Sequence, residues 1–335
     1  MTTKNTLADK YENEYVNLAS ARLGAEVIFA TDDFFADKQR LIADAEPISK
    51  LGTFDNNGQW MDGWESRRRR DGGQDHAIIK LGCLGAIKAV DIDTSYFTGN
   101  YPPAASIFAC ASETPPTDQS VWVEIVPATD LGPNTHTIVE VDDETPYNWL
   151  RLNMHPDGGI ARLRVYGVPF CNWQNKSSTD IHELSAVKNA GRIVAYNNAH
   201  YGGVWALLAE GRGINMGDGW ETRRRREPGN DWIIIELGHA GFIEKIECDT
   251  AHFKGNFPDM FSLDAAYIEA GTDSSITTDA MFWQELLPKQ KLSADNQHYF
   301  DKSHLNDIGK ISHVKLNIYP DGGISRLRIF GKLAK

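Results

Sequence analysis

The sequence predicts an all-β protein made of two tandem jelly-roll sandwiches. Three observations carry that expectation: a set of motifs that occurs twice, many short β-branched segments bounded by Gly, Pro or Asp, and no alternation of strand-like and helix-like patterns. The repeat is the strongest of the three. Asp62-Gly-Trp-Glu-Ser-Arg-Arg-Arg-Arg70 returns as Asp218-Gly-Trp-Glu-Thr-Arg-Arg-Arg-Arg226, and Asp93 to Pro102 returns as Asp249 to Pro258, both at a shift of 156 residues. Between positions 62 and 102, 22 of 41 residues equal their partners, so the period marks a duplicated domain rather than a solenoid. Asn153 to Arg162 returns as Asn317 to Arg326 at a shift of 164, which puts eight extra residues in the second copy, expected near Pro288 to Ile308. A weaker match, Ala30-Thr-Asp-Asp33 against Ala195-Tyr-Asn-Asn198, opens each copy. The first repeat is placed over 1–168, a polar linker over 169–180 and the second repeat over 181–335.

Within the first repeat the expected strands run in order through 78–81, 87–92, 106–111, 121–126, 137–141, 150–154 and 163–166. The second repeat follows suit, as at 233–237 and 314–319. Short helices are expected at 34–42 and 180–188, where Asp180 followed by Glu183 resembles a capping box. The chain has 335 residues, 41% hydrophobic and 24% charged, enough to bury a sizeable core in each of two domains. Its net charge of -12 disfavours nucleic acid and anionic lipid as partners. No apolar run approaches the ~20 residues of a membrane span, and the amino-terminal segment has no apolar stretch of leader length. The four cysteines are far apart and form no CxxC pair, so a reducing, cytoplasmic setting is expected.

The Arg runs are the loudest chemical feature. Read as an extended strand, the first run places Glu65, Arg67 and Arg69 on one face and Arg68 and Arg70 on the other. A carboxylate beside guanidinium forks suits a planar anionic ligand, whereas a charged edge strand that blocks sheet-to-sheet pairing is the structural alternative. Both copies keep all four arginines, which favours a specific role. Asn100 and Asn256 sit in Gly-Asn-aromatic-Pro turns, where an amide can donate and accept together. Asp157-Gly-Gly159 and Asp321-Gly-Gly323 read as hairpin turns, and the following Arg162-Leu-Arg164 and Arg326-Leu-Arg328 alternate so that both arginines of each pair share one strand face. Among the histidines, His200 and His252 stand out because they belong to the second copy only. No HxH or HExxH spacing marks a metal site. Asp32 and Asp33 would suit a divalent ion with oxygen ligands, and equally a turn or helix start. Nucleophile-elbow, Walker and Rossmann patterns are absent, so hydride and phosphoryl transfer have no support.

Together, Met61 to Arg68, Phe97 to Pro102, Asn197 to Gly202 and Tyr319 to Arg326 resemble the allantoicase (allantoate amidinohydrolase) family over essentially residues 18 to 331. One departure is His155 in the first copy, where the second has Tyr319. The resemblance implies two galactose-binding-like jelly rolls, association into a homo-oligomer, and hydrolysis of allantoate to ureidoglycolate and urea in purine breakdown. Allantoate carries one carboxylate and two ureido groups. On that chemistry Arg67 and Arg223 are expected to hold the carboxylate. Asn100, Asn256, Asn197, Asn198, Arg162 and Arg326 are the further substrate-binding candidates. Proton transfer falls to Glu221 with His252, and Glu65 and His200 are the other acid–base candidates. No cofactor is required by this reading, and a divalent metal stays open. A non-catalytic sugar- or calcium-binding sandwich and a structural protein using its loops for contacts are the competing classes.

Overall fold

In the computed structural model the described residues are 6–117, 119–201 and 203–335, so Gly202 of the second-copy motif lies outside them, as do residues 1–5 and Asp118. They form two compact units, one ending at Phe170 and the next beginning at Cys171. Each unit is an eight-stranded antiparallel β-sandwich of the jelly-roll kind.

One strand organises each unit. In the first, the segments expected at 78–81 and 87–92 are a single 19-residue strand, Asp75–Asp93. Its first half pairs with Glu26–Ala30 and Pro146–His155. Its second half pairs with Arg162–Pro169 and His136–Glu140. The change of partners falls around Gly85, where an added Cβ would sit 2.8 Å from the Val168 carbonyl oxygen and 3.0 Å from Leu18. Only glycine lets the crossing chains approach this closely. Ala77, Ile79 and Leu81 alternate inward along the first half, where fully buried Leu150 and Leu152 pair with Ile79 and Ala77, and Leu163 and Val165 pair with Ile92 and Val90 in the second half. In the second unit Asp231–Asp249 plays the same part.

Several expectations are corrected. The helix expected at 34–42 is a short 3-10 turn, Lys38–Ile42, and the one at 180–188 is a strand pair at His182–Glu183 followed by a 3-10 turn, Val187–Asn189. Packing onto the sheet edges outweighs local helix preference there. The capping box occurs instead at Thr272 and Ser275, opening the helix Asp273–Asp279. Register also moves the insertion. His136 and Gln297 occupy matching positions at a shift of 161, so five of the eight extra residues precede strand Gln284–Lys291, in the segment that carries this helix.

Two buried ion pairs tie the repeated motif to the last strand of each unit. Arg162 meets Asp62 at 3.0 Å and Arg326 meets Asp218 at 2.9 Å, and both guanidiniums also hold main-chain carbonyls. With the Arg326 and Asp218 side chains each 2% exposed, removal of either partner leaves a charge buried without compensation. Asp218→Ala should therefore lower unfolding stability of the second unit by about 3–5 kcal/mol in urea denaturation; an unchanged midpoint would refute the structural role.

Candidate active site

The site begins with a tryptophan. Trp64 and Trp220 are completely buried, and each indole N–H donates over 2.8 Å to a main-chain carbonyl, of Asp32 and Asn198 respectively. Trp64–Glu65 forms a two-residue ladder with Gly159–Ile160, so once the indole is fixed inward the next side chain, Glu65, turns the other way. It enters a cavity of about 590 Å³ whose lining includes Arg68, Asn100, Tyr101, Asp130 and Asp157. The Asn100 amide donates to Glu65 Oε1 over 2.7 Å. Burial pushes the Glu65 carboxyl above the usual carboxylate range, and the Asn100 bond pulls in the opposite direction without cancelling it. The Gly-Gly turn shapes the floor. At Gly158, with φ 145°, an added Cβ would lie 2.5 Å from the Pro102 nitrogen. The second unit repeats the frame: Asn256 donates to Glu221, and the Asp157–Arg69 main-chain bond of 2.8 Å reappears as Asp321–Arg225 at 2.8 Å.

The structure redistributes the arginines. Residues 66–70 continue as irregular chain beyond the two-residue strand, so strict alternation does not hold. Arg68, expected on the face away from Glu65, shares its cavity. Arg67 instead is clamped by Asp32, at 2.7 Å through Nε and 2.6 Å through Nη2, and lies over the Phe34 ring. Burial of Asp32 opposes ionisation, but Arg67 and two backbone N–H groups outweigh it and hold the carboxyl below its ordinary value. Arg67, expected to hold the substrate carboxylate, is thus paired with a carboxylate of its own chain and does not line the Glu65 cavity. Arg162 and Arg326 are corrected as well, since their buried ion pairs leave them no face for a ligand. Asp32 and Asp33 are occupied by Arg67 and Lys38, so the pair does not make a cation site. Among the described residues no group of three or more His, Cys, Asp or Glu is arranged to hold a metal.

Two second-copy residues also change place. The opening match is displaced by one residue: Asn197 bonds Asp231 and the Trp232 N–H as Thr31 bonds Asp75 and the His76 N–H, so Asp32 corresponds to Asn198. Asn197 is thereby engaged by its own chain. His252 sits at φ 68°, donates its backbone N–H to Asp295 and holds the Gly213 carbonyl through Nε2 at 2.7 Å. Its first-unit counterpart, Tyr96, lines a different cavity with Trp60 and Met61, so a proton-transfer pairing of His252 with Glu221 is not supported. His200 fares better. Its backbone N–H donates to the Glu221 carbonyl at 2.9 Å, in the place where Phe35 bonds the Glu65 carbonyl and lines the Glu65 cavity. The exposed His200 ring packs edge-on against Tyr201 at 4.4 Å.

Fold and site define a tandem jelly-roll protein in which each copy presents a carboxylate–amide pair beside an arginine run. The comparisons with known proteins agree. The family model described as "Allantoicase repeat" matches twice, over residues 16–170 and 182–334. A relative from Ralstonia nicotianae named "Probable allantoicase" is 54% identical over 99% of both chains. "Probable allantoicase 1" from Burkholderia mallei is 54% identical over 98% of this chain and 97% of that one. The crystal structure of allantoicase from Saccharomyces cerevisiae superposes with a TM-score of 0.82 at 34% identity, covering 98% of each chain. The chain belongs to the allantoicase family.

If Asn100 steadies the ionised form of Glu65, Asn100→Ala should move the Glu65 ionisation further up. The carboxyl resonance of ¹³C-Glu-labelled protein, followed against pH, checks this. No movement, or movement downward, would contradict the pairing.

Proposed function

We propose that the protein is an allantoate amidinohydrolase, releasing urea from allantoate to leave ureidoglycolate in purine catabolism. Membership of the allantoicase family supports the reaction. The observation that carries the assignment of residues is the Glu–Asn pair, Glu65 with Asn100, half-enclosed beside Arg68 and repeated as Glu221 with Asn256.

Each group has a task that its chemistry fits. Arg68 takes the substrate carboxylate through its planar fork. Asn100 offers its remaining amide hydrogen and its carbonyl to a ureido group, which presents complementary acceptors and donors. Glu65 supplies the proton. Its raised ionisation keeps more of it protonated near neutrality than an exposed glutamate, as a general acid requires. As the carbon–nitrogen bond breaks, its electron pair goes to the departing urea nitrogen, which takes the Glu65 proton. The other ureido nitrogen lends its lone pair to the same carbon. Water then adds its hydroxyl to that carbon, the electron pair returns to the ureido nitrogen, and the released proton restores Glu65. In the second unit Glu221, Asn256 and Arg224 take the corresponding parts, with His200 as a second proton-carrying group beside Glu221.

We infer a cytoplasmic setting and self-association into a homo-oligomer. Four free thiols support the first, and exposed apolar side chains such as Leu51, Phe54, Met281 and Phe282 give surface for the second. Among the described residues no helix is long and apolar enough to cross a membrane.

The double variant Glu65→Gln, Glu221→Gln should lower urea release from allantoate by about 10²–10⁴-fold. A coupled assay for urea and glyoxylate reads the rate, and the single variants apportion it between the units. Near-normal turnover in the double variant would reject the assignment.

A further inference from the structure

The two units share a sheet but cover its outer face differently. In the second, one row across the sheet runs through Ala195, Ile234, Lys315, Asp264 and Glu285. The inserted helix Asp273–Asp279 lies against this face. Its Ile276 and the following Ala280 pack on Ile234 and leave it wholly buried, and Arg192 holds the helix down through Asp273 at 2.7 Å. The matching row of the first unit is Phe29, Ile78, Arg151, Phe108 and Glu124. Among the described residues no helix lies between its strands Ala104–Cys110 and Val123–Asp130. Ile78 is accordingly only half-buried, and Phe29 is 48% exposed. The uncovered row is also the more apolar one, with Phe29 and Phe108 where the covered row has Ala195 and Asp264. Contiguous apolar surface of this kind marks an interaction site.

Arg151 indicates what the partner brings. Its guanidinium lies over the Phe108 ring at 4.9 Å and the Trp122 ring at 5.2 Å. It has no hydrogen bond or ion pair among the described residues, and its Nε is buried without a partner. Two rings take water from the cation and leave its charge uncompensated, so a carboxylate gains more there than in open solvent. Glu124 is exposed, its carboxylate is likewise unpaired among the described residues, and it stands two strands away in the same row. The face therefore carries both halves of its own complement. A partner with a different surface would have to supply a matching carboxylate; a second copy does so by construction, because a two-fold contact repeats every pairing in both directions.

We propose that this face of the first unit takes a second copy of the chain, with Phe108 at the two-fold axis and Arg151 of each copy paired with Glu124 of the other. Phe108 lies on the strand between Arg151 and Glu124, so an axis through it brings each cation to the opposite anion. Apolar and aromatic contact then sits at the centre with an arginine anchored on it, the arrangement in which interface residues contribute most. The contact adds no net charge, which favours self-docking in a chain of net charge -12. The proposal rests on the self-association inferred above and names the face that carries it.

Sedimentation equilibrium of the full-length protein reads the assembly mass. Phe108→Asp installs the residue type that the second unit carries at this place, and Arg151→Glu sets like charges against each other. Each should at least halve the mass. Combining Arg151→Glu with Glu124→Arg should restore it, which a folding defect could not do. With an oligomeric wild type, an unchanged mass in both single variants, or a double variant that stays dissociated, would overturn the proposal and leave self-association to other surfaces. A monomeric wild type would overturn both.

Discussion

The structure depends most on a charge buried where charge is expensive. Arg162 and Arg326 start the last strand of their units, and Asp62 and Asp218 open the repeated Asp-Gly-Trp-Glu motif far earlier in the chain. Taking two ions out of water costs several kcal/mol each, and their attraction repays that only when geometry is good and the remaining donors are satisfied. Here the guanidiniums also bond the carbonyls of Asp62 and Ala161, and of Asp218 and Ser325. Arg326 Nε is left without a partner, so such a pair contributes less to stability than apolar packing of the same volume; its contribution is to join the repeated motif to the last strand. It anchors the start of the motif, two residues before the buried tryptophan and three before the glutamate that enters the cavity.

Duplication then lets two sites diverge on one frame. The indole bonds, the Gly-Gly turn and the glutamate–asparagine pair are common to both units. The loop that faces them has changed. Phe35 stands where the second unit has His200, and Asp32 where it has Asn198. Neither exchange disturbs a backbone bond, so each alters charge or proton-carrying capacity at little cost to folding.

Much of this was legible in the residues. Motif repetition at a shift of 156 disclosed the duplication, and β-branched segments bounded by turns disclosed the strands. Glu65 and Glu221 were legible as carboxylates beside an arginine run, and Asn100 and Asn256 as turn amides able to donate and accept together. What escaped depended on tertiary detail. Arg67 and Arg68 exchanged expected roles because the strand ends at Glu65, and period-2 reasoning fails one residue later. Asp32 lies 35 residues from Arg67, so nothing local announced their ion pair. Arg162 and Arg326 looked like surface binders, since an arginine that spends its charge on a buried aspartate has the same letter as one that does not. The aspartates of the Gly-Gly turns read as turn formers, yet Asp157 and Asp321 also pin the arginine run through a backbone N–H.

The pairing of an amide with the half-buried glutamate has a consequence for selectivity. An isolated carboxyl in a half-enclosed cavity would turn to whichever donor entered first. With one oxygen committed to Asn100, Glu65 presents the other along a fixed direction, and the amide presents its own carbonyl alongside. The cavity therefore offers a proton carrier and an acceptor at a set separation, while Arg68 covers the anionic end. A ligand lacking either the carboxylate or the ureido hydrogens leaves one of these half-buried groups unpaired, and an unpaired buried group costs more than a formed bond returns. On the proposed assignment, discrimination follows from what the wrong molecule fails to satisfy, which lets three modest side chains on a sheet rim favour a small acid.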